Sequence, residues 1–198
     1  MTDKRIVTAI TGASGAAYAL RLLQCLARAG AEIHLVISPH GRQLLAEELD
    51  ITEASPRALL GDHADRVTLY AHQDVGSRLA SGSFRTDGMV ICPCSSNTLG
   101  AIASGLGDNL IRRAAAVTLK EARRLILVPR EMPLSPIDLE AMLTICRAGG
   151  IICPAAPGFY MRPQRVDDLI DFVVGKVLDL LSIEHALPTR WDRPPAPG

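Results

Sequence analysis

A short glycine-containing turn near the start of the chain has the residue types that can hold a phosphate. Residues 6–26 read IVTAITGASGAAYALRLLQCL, so an apolar run ends in Gly12, Ala13, Ser14 and Gly15 and a helical pattern follows at once. The backbone N–H groups and the dipole of a helix N-terminus favour an anion, and Ser14 adds a hydroxyl. The G-x-G-x-x-G pattern of dinucleotide sites is absent, which favours a mononucleotide phosphate. A plain glycine turn without a ligand is the alternative.

Four further apolar runs end in small polar or charged residues. They end in Ser38, in Ser95, Ser96, Asn97 and Thr98, in Arg130 and Glu131, and shortly before Tyr160. Because the carboxyl ends of parallel strands meet at one edge of a sheet, these residues predict one ligand spread across that edge. Two alternatives stay open. The serines and Thr98 could only cap a helix, and the charges at 130 and 131, expected at the end of a buried strand, could form a structural ion pair.

The apolar runs alternate with helical patterns along the chain. Strand-like runs cover 4–10, 32–38, 88–93, 124–129 and 150–154, with a further short strand expected at 66–71, and helical patterns lie near 16–28, 40–48, 96–104, 108–121, 136–147 and 166–182. This alternation predicts an α/β fold, a doubly wound parallel sheet in three αβα layers within a single domain. We expect residues 1–183 to form the domain, 184–198 to form a C-terminal tail, and 80–88 to be a mobile loop near the ligand.

Composition restricts the class of function. The chain has 198 residues, 48% of them apolar, and its 21 basic and 21 acidic residues balance. A neutral chain of this length favours one sizeable core and argues against nucleic-acid or membrane-surface binding. No apolar run approaches the ~20 residues of a membrane span, so we expect a cytoplasmic protein. The five cysteines show no metal-site spacing, and we expect Cys92 and Cys94 to be buried thiols rather than metal ligands.

Several motifs together resemble a known enzyme family. TGASG, CPCSSNTLGAIASG, NLIRRAA, LKEARRLILVPREMPLS and PAAPGFY occur in this order, and the likeness runs from about residue 5 to Trp191. The set resembles the UbiX-type flavin prenyltransferases, formerly called aromatic-acid decarboxylases. The resemblance implies a flavodoxin-like fold and a metal-independent transfer of a dimethylallyl group from dimethylallyl monophosphate to N5 and C6 of reduced FMN. It further implies that prenylated FMN passes to UbiD-type decarboxylases, and that the chain forms a homododecamer with active sites between subunits.

The resemblance also implies roles for individual residues. The implied FMN contacts are Gly12, Ala13, Ser14, Ser38, Ser95, Ser96, Asn97, Thr98 and Arg130. The implied contacts of the prenyl phosphate are Arg113, Lys120, Arg130, Tyr160 and Lys176, and the implied catalytic residues are Ser14, Glu48, Lys120, Glu131 and Trp191. Two positions depart from the pattern, since Lys176 replaces an arginine of some members and Val75 replaces a tryptophan.

The implied reaction needs groups of these types. A departing phosphate carries negative charge, which Arg113, Lys120, Arg130 and Lys176 can stabilise in place of a metal. Glu131 can take a proton on the flavin side and Glu48 can serve the phosphate side, while Tyr160 and Trp191 offer π faces to a carbocation-like prenyl group. We expect Lys120, at the end of a helix, to reach over the strand-end loops. Solvated surface is the alternative for the lysine, and simple packing on this or a neighbouring subunit is the alternative for Trp191.

Two other functions remain compatible with the sequence. A flavin-dependent decarboxylase of the phosphopantothenoylcysteine type would require a catalytic histidine, for which His40 is the candidate. A carrier that stores and delivers FMN would need no catalytic residues.

Overall fold

One parallel sheet of six strands organises the chain in the computed structural model, which describes residues 3–189. The strands are β1 Arg5–Ile10, β2 Glu32–Ile37, β3 Val67–Tyr70, β4 Gly88–Cys94, β5 Arg124–Pro129 and β6 Ile151–Ile152. Their order is β3-β2-β1-β4-β5-β6, and every neighbouring pair is parallel. This is the Rossmann order, which reverses direction between β1 and β4. The predicted doubly wound sheet is confirmed, including the short strand expected near 66–71.

Helices cover both faces of the sheet. They are α1 Ala16–Ala29, α2 Pro39–Leu49, α3 Pro56–Leu60, α4 Ser96–Ala103, α5 Leu110–Lys120, α6 Pro136–Arg147 and α7 Val166–Leu180. Alternate residues of β1 enter two separate cores: Ile6 and Ile10 pack with α1, α3 and α7, while Val7 and Ala9 pack with α4, α5 and α6. This alternation is why the central strands read as continuous apolar runs. None of the helices in residues 3–189 has the length and apolar character needed to cross a bilayer.

The polar stretch at 80–88, whose composition suggested a mobile loop near the ligand, lies away from the strand-end loops of its own chain. It leads into the start of β4, so it lies at the amino edge of the sheet, opposite the strand-end loops. Arg123 donates hydrogen bonds to the carbonyls of Gly82 and Phe84 at 2.6 and 2.8 Å, and Arg5 donates to the carbonyl of Arg85 at 3.0 Å. The arginines that fix this segment are distant in sequence, which is why local composition misled.

Beyond α7 the chain folds back along that helix as an irregular segment, residues 183–189, which we call the C-terminal strap. Ile183 is buried and Leu187 packs against the α1–α7 core. Lys4 Nζ fastens the preceding turn by donating to the carbonyls of Leu181 and Ser182 at 2.6 and 2.8 Å. Trp191 lies outside the described residues, and the division into residues 1–183 and a tail stays a prediction.

Cys92 and Cys94 are buried thiols, as predicted, with 1% and 0% of their surface exposed. Burial raises the pKa of both thiols, so they stay protonated at neutral pH. Among residues 3–189 no group of three or more His, Cys, Asp or Glu side chains is placed to hold a metal ion.

His34, on β2, is an ionisable side chain that is buried inside the fold. It is 1% exposed, its Nδ1 lies 3.0 Å from Tyr70 Oη, and its ring meets Phe84 edge-on. Its Nε2 lies 3.0 Å from Glu32 Oε1 but lacks hydrogen-bonding geometry. Burial is the main cause that lowers the pKa of His34; Glu32 opposes this shift, and Arg5 reinforces it. The folded protein therefore favours the neutral ring.

The free energy of unfolding should decrease as the pH falls below about 6.5, because the unfolded chain then binds a proton that folded His34 resists. Urea unfolding at pH 7.5 and 5.5 measures this change. The His34→Gln variant should lose less stability over this range than the wild type. His63→Gln, at an exposed position, is the matched control and should behave as the wild type; equal losses in all three proteins would contradict the assignment.

Candidate active site

Thr11 joins the two loops that flank the reversal of strand order. It is 1% exposed; its hydroxyl donates to the carbonyl of Pro93 at 2.9 Å and accepts from the backbone N–H of Ser95 at 2.9 Å. The loop after β1 and the loop after β4 are therefore fixed to each other. The sequence shows Thr11 at a strand end but gives no sign of this role, because both of its partners lie more than eighty positions away.

The N-terminus of α1, where the sequence predicted a phosphate, is occupied by a carboxylate of the chain itself. Glu48, in the last turn of α2, accepts hydrogen bonds from the N–H groups of Gly15 and Ala16 at 2.9 and 2.7 Å. Burial tends to raise the pKa of Glu48, but the hydrogen bonds from Gly15, Ala16 and the Ser14 hydroxyl, with the charge of Arg130, lower it overall. Glu48 is consequently ionised at neutral pH and is not a proton donor in this arrangement.

In the loop after β4, two residues contact each other and two point away from the loop. Ser95 caps α4 by accepting from the N–H of Thr98 at 3.3 Å, and its own hydroxyl donates to Thr98 Oγ1 at 3.0 Å. Ser96 instead donates its hydroxyl to Glu131 Oε2 at 3.1 Å, and Asn97 is exposed. Ser95 thus caps the helix through its contact with Thr98, whereas Ser96 contacts Glu131 and Asn97 is exposed.

Arg130 and Glu131 are not the buried pair that their place after a buried strand suggested. Both are exposed because β5 ends at Pro129 and the chain leaves the core there. Arg130 Nε donates to the carbonyl of Ser14 at 3.2 Å, while Glu131 accepts from Ser96 and from the N–H of Met132. Each residue thus links the loop after β5 to one of the two loops that Thr11 joins.

At position 12, below the strand-end loops, there is space only for a glycine. A Cβ at Gly12 would lie 2.5 Å from the Cβ of His40, so any larger residue there would collide with the start of α2. Ser38 caps α2 by accepting from the N–H of Gly41 at 3.0 Å, which leaves its hydroxyl proton available. Small residues with exposed amide, hydroxyl and guanidinium groups fit a planar ring system that carries a phosphate, so the edge suits FMN.

Tyr160 and Lys176 lie on the α7 side of this edge. Tyr160 is 52% exposed and packs edge-on against Phe172 of α7, with the ring centroids 5.7 Å apart. Lys176 is exposed on α7 and is close enough to the Cys153 thiol, which follows β6, to oppose the pKa rise that burial causes there. The two implied phosphate contacts therefore lie on one side of the strand ends.

Lys120 is not where we expected it from the sequence. It ends α5, and α5 runs antiparallel to the strands, so Lys120 lies where β5 begins, at the amino edge of the sheet. Its Nζ pairs with Glu121 Oε1 at 2.7 Å. Arg113, also exposed on α5, donates to the carbonyl of Ala80 at 3.3 Å. The expectation that Lys120 reaches over the strand-end loops of its own chain was wrong, because a helix brings its C-terminus back to the start of the next strand.

Comparison with known proteins shows which family the chain resembles. The Flavoprotein family model matches residues 1–178. The flavin prenyltransferase UbiX of Pseudomonas aeruginosa is 47% identical over 196 residues, covering 95% of this chain and 94% of that protein. A crystal structure of AnUbiX (PadA1) in complex with FMN and dimethylallyl pyrophosphate superposes with a TM-score of 0.90 at 43% identity, covering 97% of this chain and 99% of that one.

Two further structures bear on assembly and on the alternatives. A dodecameric FMN-dependent UbiX-like decarboxylase from Escherichia coli O157:H7 superposes with a TM-score of 0.87 at 43% identity, covering 96% of this chain and all of that one. A PPC decarboxylase mutant superposes with a TM-score of 0.64 at 23% identity, covering 92% of this chain and all of that one. The second likeness extends to the fold alone.

Replacing Glu48 by alanine should lower the free energy of unfolding by ~1 kcal/mol, because two N–H groups at the α1 N-terminus lose their acceptor. Inorganic phosphate should reduce this loss, because phosphate can bind the freed N–H groups. Chemical unfolding of both proteins, with and without phosphate, measures the effect. Glu47→Ala, on the same helix, is the control and should show no such response. A phosphate-independent loss in Glu48→Ala would contradict the anion site.

Proposed function

This chain belongs to the UbiX-type flavin prenyltransferases, and we propose that it transfers a dimethylallyl group from dimethylallyl monophosphate to N5 and C6 of reduced FMN. The observation that carries the proposal is the joining of three strand-end loops through Thr11, Arg130 and Glu131 over a floor of small residues. When bound, reduced FMN supplies the electron-rich ring that accepts the prenyl group. All other tasks, which are binding, charge stabilisation and proton transfer, fall to the chain.

We assign the FMN site to the loops after β1, β2, β4 and β5. Ser38, Ser96, Asn97 and Arg130 offer polar groups to the ligand, and Gly12 and Ser14 let it approach the backbone. Ala13, Ser95 and Thr98 contribute through the shape of the loops, since Ala13 and Thr98 are buried and Ser95 caps α4.

Cations of the chain stabilise the departing phosphate in this proposal, so the transfer needs no metal. Arg130 and Lys176 approach from the strand ends and from α7, and Tyr160 adds a hydroxyl and a π face beside Lys176. Charge-assisted contacts of this kind strengthen as the C–O bond breaks and negative charge collects on the phosphate. Lysine at 176 keeps the charge but not the forked geometry of an arginine.

The two carboxylates divide the proton transfers. Glu131, held by the Ser96 hydroxyl and the Met132 N–H, takes the proton released at the acceptor carbon. An arriving phosphate competes with Glu48 for the N–H groups of Gly15 and Ala16. A displaced Glu48 loses the hydrogen bonds that lower its pKa, so it then takes up a proton more readily and can pass it to the phosphate.

A second copy of the chain completes the site. Lys120 and Arg113 lie on α5 and can serve the prenyl phosphate only from a neighbouring subunit, which a homododecamer provides. The dodecameric relative supports such an assembly. We assign Trp191 a π face at the same site. We further propose that the prenylated FMN is passed to a UbiD-type decarboxylase.

The decarboxylase alternative is not favoured. His40 is exposed and packs by its Cβ against Gly12, and the likeness to a PPC decarboxylase reaches only 23% identity. One anaerobic assay separates the functions: protein, reduced FMN and dimethylallyl monophosphate or pyrophosphate are incubated, and the released flavin is analysed by mass spectrometry. Gain of one five-carbon unit with the monophosphate supports the proposal. Unmodified FMN with both donors would overturn it and favour a carrier.

Glu131→Gln should lower the prenylation rate ~10²–10⁴-fold, because the amide keeps the shape of the side chain but cannot accept a proton. FMN affinity, measured by titration, should stay unchanged, since Glu131 is not assigned to flavin binding. Glu140→Gln, at an exposed position on α6, is the control for loss of a surface charge. A wild-type rate in Glu131→Gln would remove Glu131 from the mechanism.

Lys120→Ala and Glu48→Gln should each be nearly inactive alone and should recover activity when co-expressed in one oligomer. If Lys120 serves a neighbour's site, random mixing restores about a quarter of the sites, each with Glu48 from one chain and Lys120 from another. Rates of the purified mixed oligomers measure the recovery against each variant alone. Absence of recovery in oligomers shown to contain both chains would place the lysine outside the shared site.

A further inference from the structure

Gly175, in α7, has no side chain, and Thr189 at the end of the C-terminal strap occupies the space that a side chain would take. A Cβ at Gly175 would lie 2.3 Å from Thr189 Oγ1 and 2.8 Å from Thr189 Cγ2, closer than non-bonded atoms approach. Glycine within a helix lowers stability relative to alanine, so glycine at position 175 destabilises α7 slightly. The Thr189 side chain occupies the place that an alanine methyl group would take.

The strap is aligned on α7 by a second contact one turn further along. The side chain of His185 is 4% exposed, and its Nε2 lies 3.2 Å from Asp179 Oδ1. Its Nδ1 accepts from the N–H of Leu187 at 3.2 Å, so both ring nitrogens hold the strap in place. The Thr189 hydroxyl is buried and has no hydrogen-bond partner among residues 3–189. The backbone N–H of Thr189 donates to the carbonyl of Leu187 at 2.8 Å, so it is the side chain alone that is held by shape rather than by a polar contact.

The strap points toward the proposed prenyl-phosphate side of the site. Residues three or four apart on a helix lie above one another, so Asp179, Gly175 and Phe172 follow each other along one side of α7. The strap contacts the first two, and Tyr160 packs on the third. Lys176 is exposed and lies one turn along α7 from Phe172, the residue on which Tyr160 packs. Thr189, at the end of the strap, thus lies on the turn of α7 between Asp179, which His185 contacts, and Phe172, on which Tyr160 packs.

We propose that Gly175 is a positioning residue, which seats Thr189 so that the end of the strap lies beside Lys176 and limits the space open to the prenyl phosphate. This inference rests on the proposed function in taking Lys176 and Tyr160 as phosphate contacts. The seating of the strap on Gly175 does not depend on that function and can be measured without substrate.

Three substitutions separate shape from polarity at this contact. Gly175→Ala places a methyl group where Thr189 lies, and Thr189→Leu produces the same collision from the strap while leaving α7 unaltered. Thr189→Val keeps the shape and removes only the hydroxyl. Gly100→Ala, at a helical glycine of α4 with nothing within 4 Å of its Cβ position, is the matched control for a glycine-to-alanine change in a helix.

The single tryptophan of the chain, Trp191, lies two positions after Thr189 and reports on the strap by its emission. Gly175→Ala and Thr189→Leu should shift the emission maximum without any ligand and should raise KM for dimethylallyl monophosphate about tenfold with little change in kcat. Thr189→Val and Gly100→Ala should match the wild type in both measurements.

The outcomes distinguish the two proposals. An unchanged emission maximum in both Gly175→Ala and Thr189→Leu would overturn the seating of the strap. A shifted maximum with an unchanged KM would overturn the positioning role. If the wild type shows no prenyl transfer at all, the proposed function fails, while the emission shift still decides whether Gly175 seats the strap.

Discussion

The hydroxyl of Thr11 is the contact on which the arrangement of the site depends. It donates to the carbonyl of Pro93, near the end of β4, and accepts from the N–H of Ser95, which follows β4, so both groups lie on the far side of the reversal in strand order. A buried hydroxyl that satisfies two backbone groups in this way holds them at fixed separation in a medium where water cannot replace either bond. Arg130 and Glu131 then attach the loop after β5, one to each of the loops that Thr11 joins. Three separate loops become a single surface.

The sequence predicted the strands, the helices between them and the residues that follow each strand, because these depend on local hydrophobic patterns. It did not predict the partner of each polar residue. Glu48 appeared as a candidate for proton transfer, but its contact with the α1 N-terminus depends on where α2 ends in space. Lys120 was placed at the wrong edge, and residues 80–88 were expected to be mobile although Arg123 holds them. In each case the deciding contact joins distant segments, which hydrophobic periodicity does not record.

The site combines an ionised carboxylate with the cations that a phosphate requires. Glu48 and Arg130 both contact the loop after β1, and the charge of Arg130 contributes to the lowered pKa of Glu48. The negative charge of Glu48 is thereby offset by the positive charge of Arg130. On the proposed function, a dianionic phosphate would compete with this carboxylate better than a singly charged anion, because two N–H groups and a guanidinium already hold the carboxylate.

The position of Lys120 at the amino edge, opposite the strand-end loops, has a consequence for enzyme concentration. If the lysine serves a neighbour, flavin binding needs the loops of one chain only, whereas prenyl transfer needs two associated chains. Prenyl transfer then depends on the concentration of the chain, and flavin binding does not. On dilution below the dissociation constant of the assembly, transfer activity per chain declines together with the fraction of associated subunits. The amount of active enzyme in a cell then rises more steeply than the amount of protein, so modest changes in expression would act as a threshold on the supply of the modified flavin.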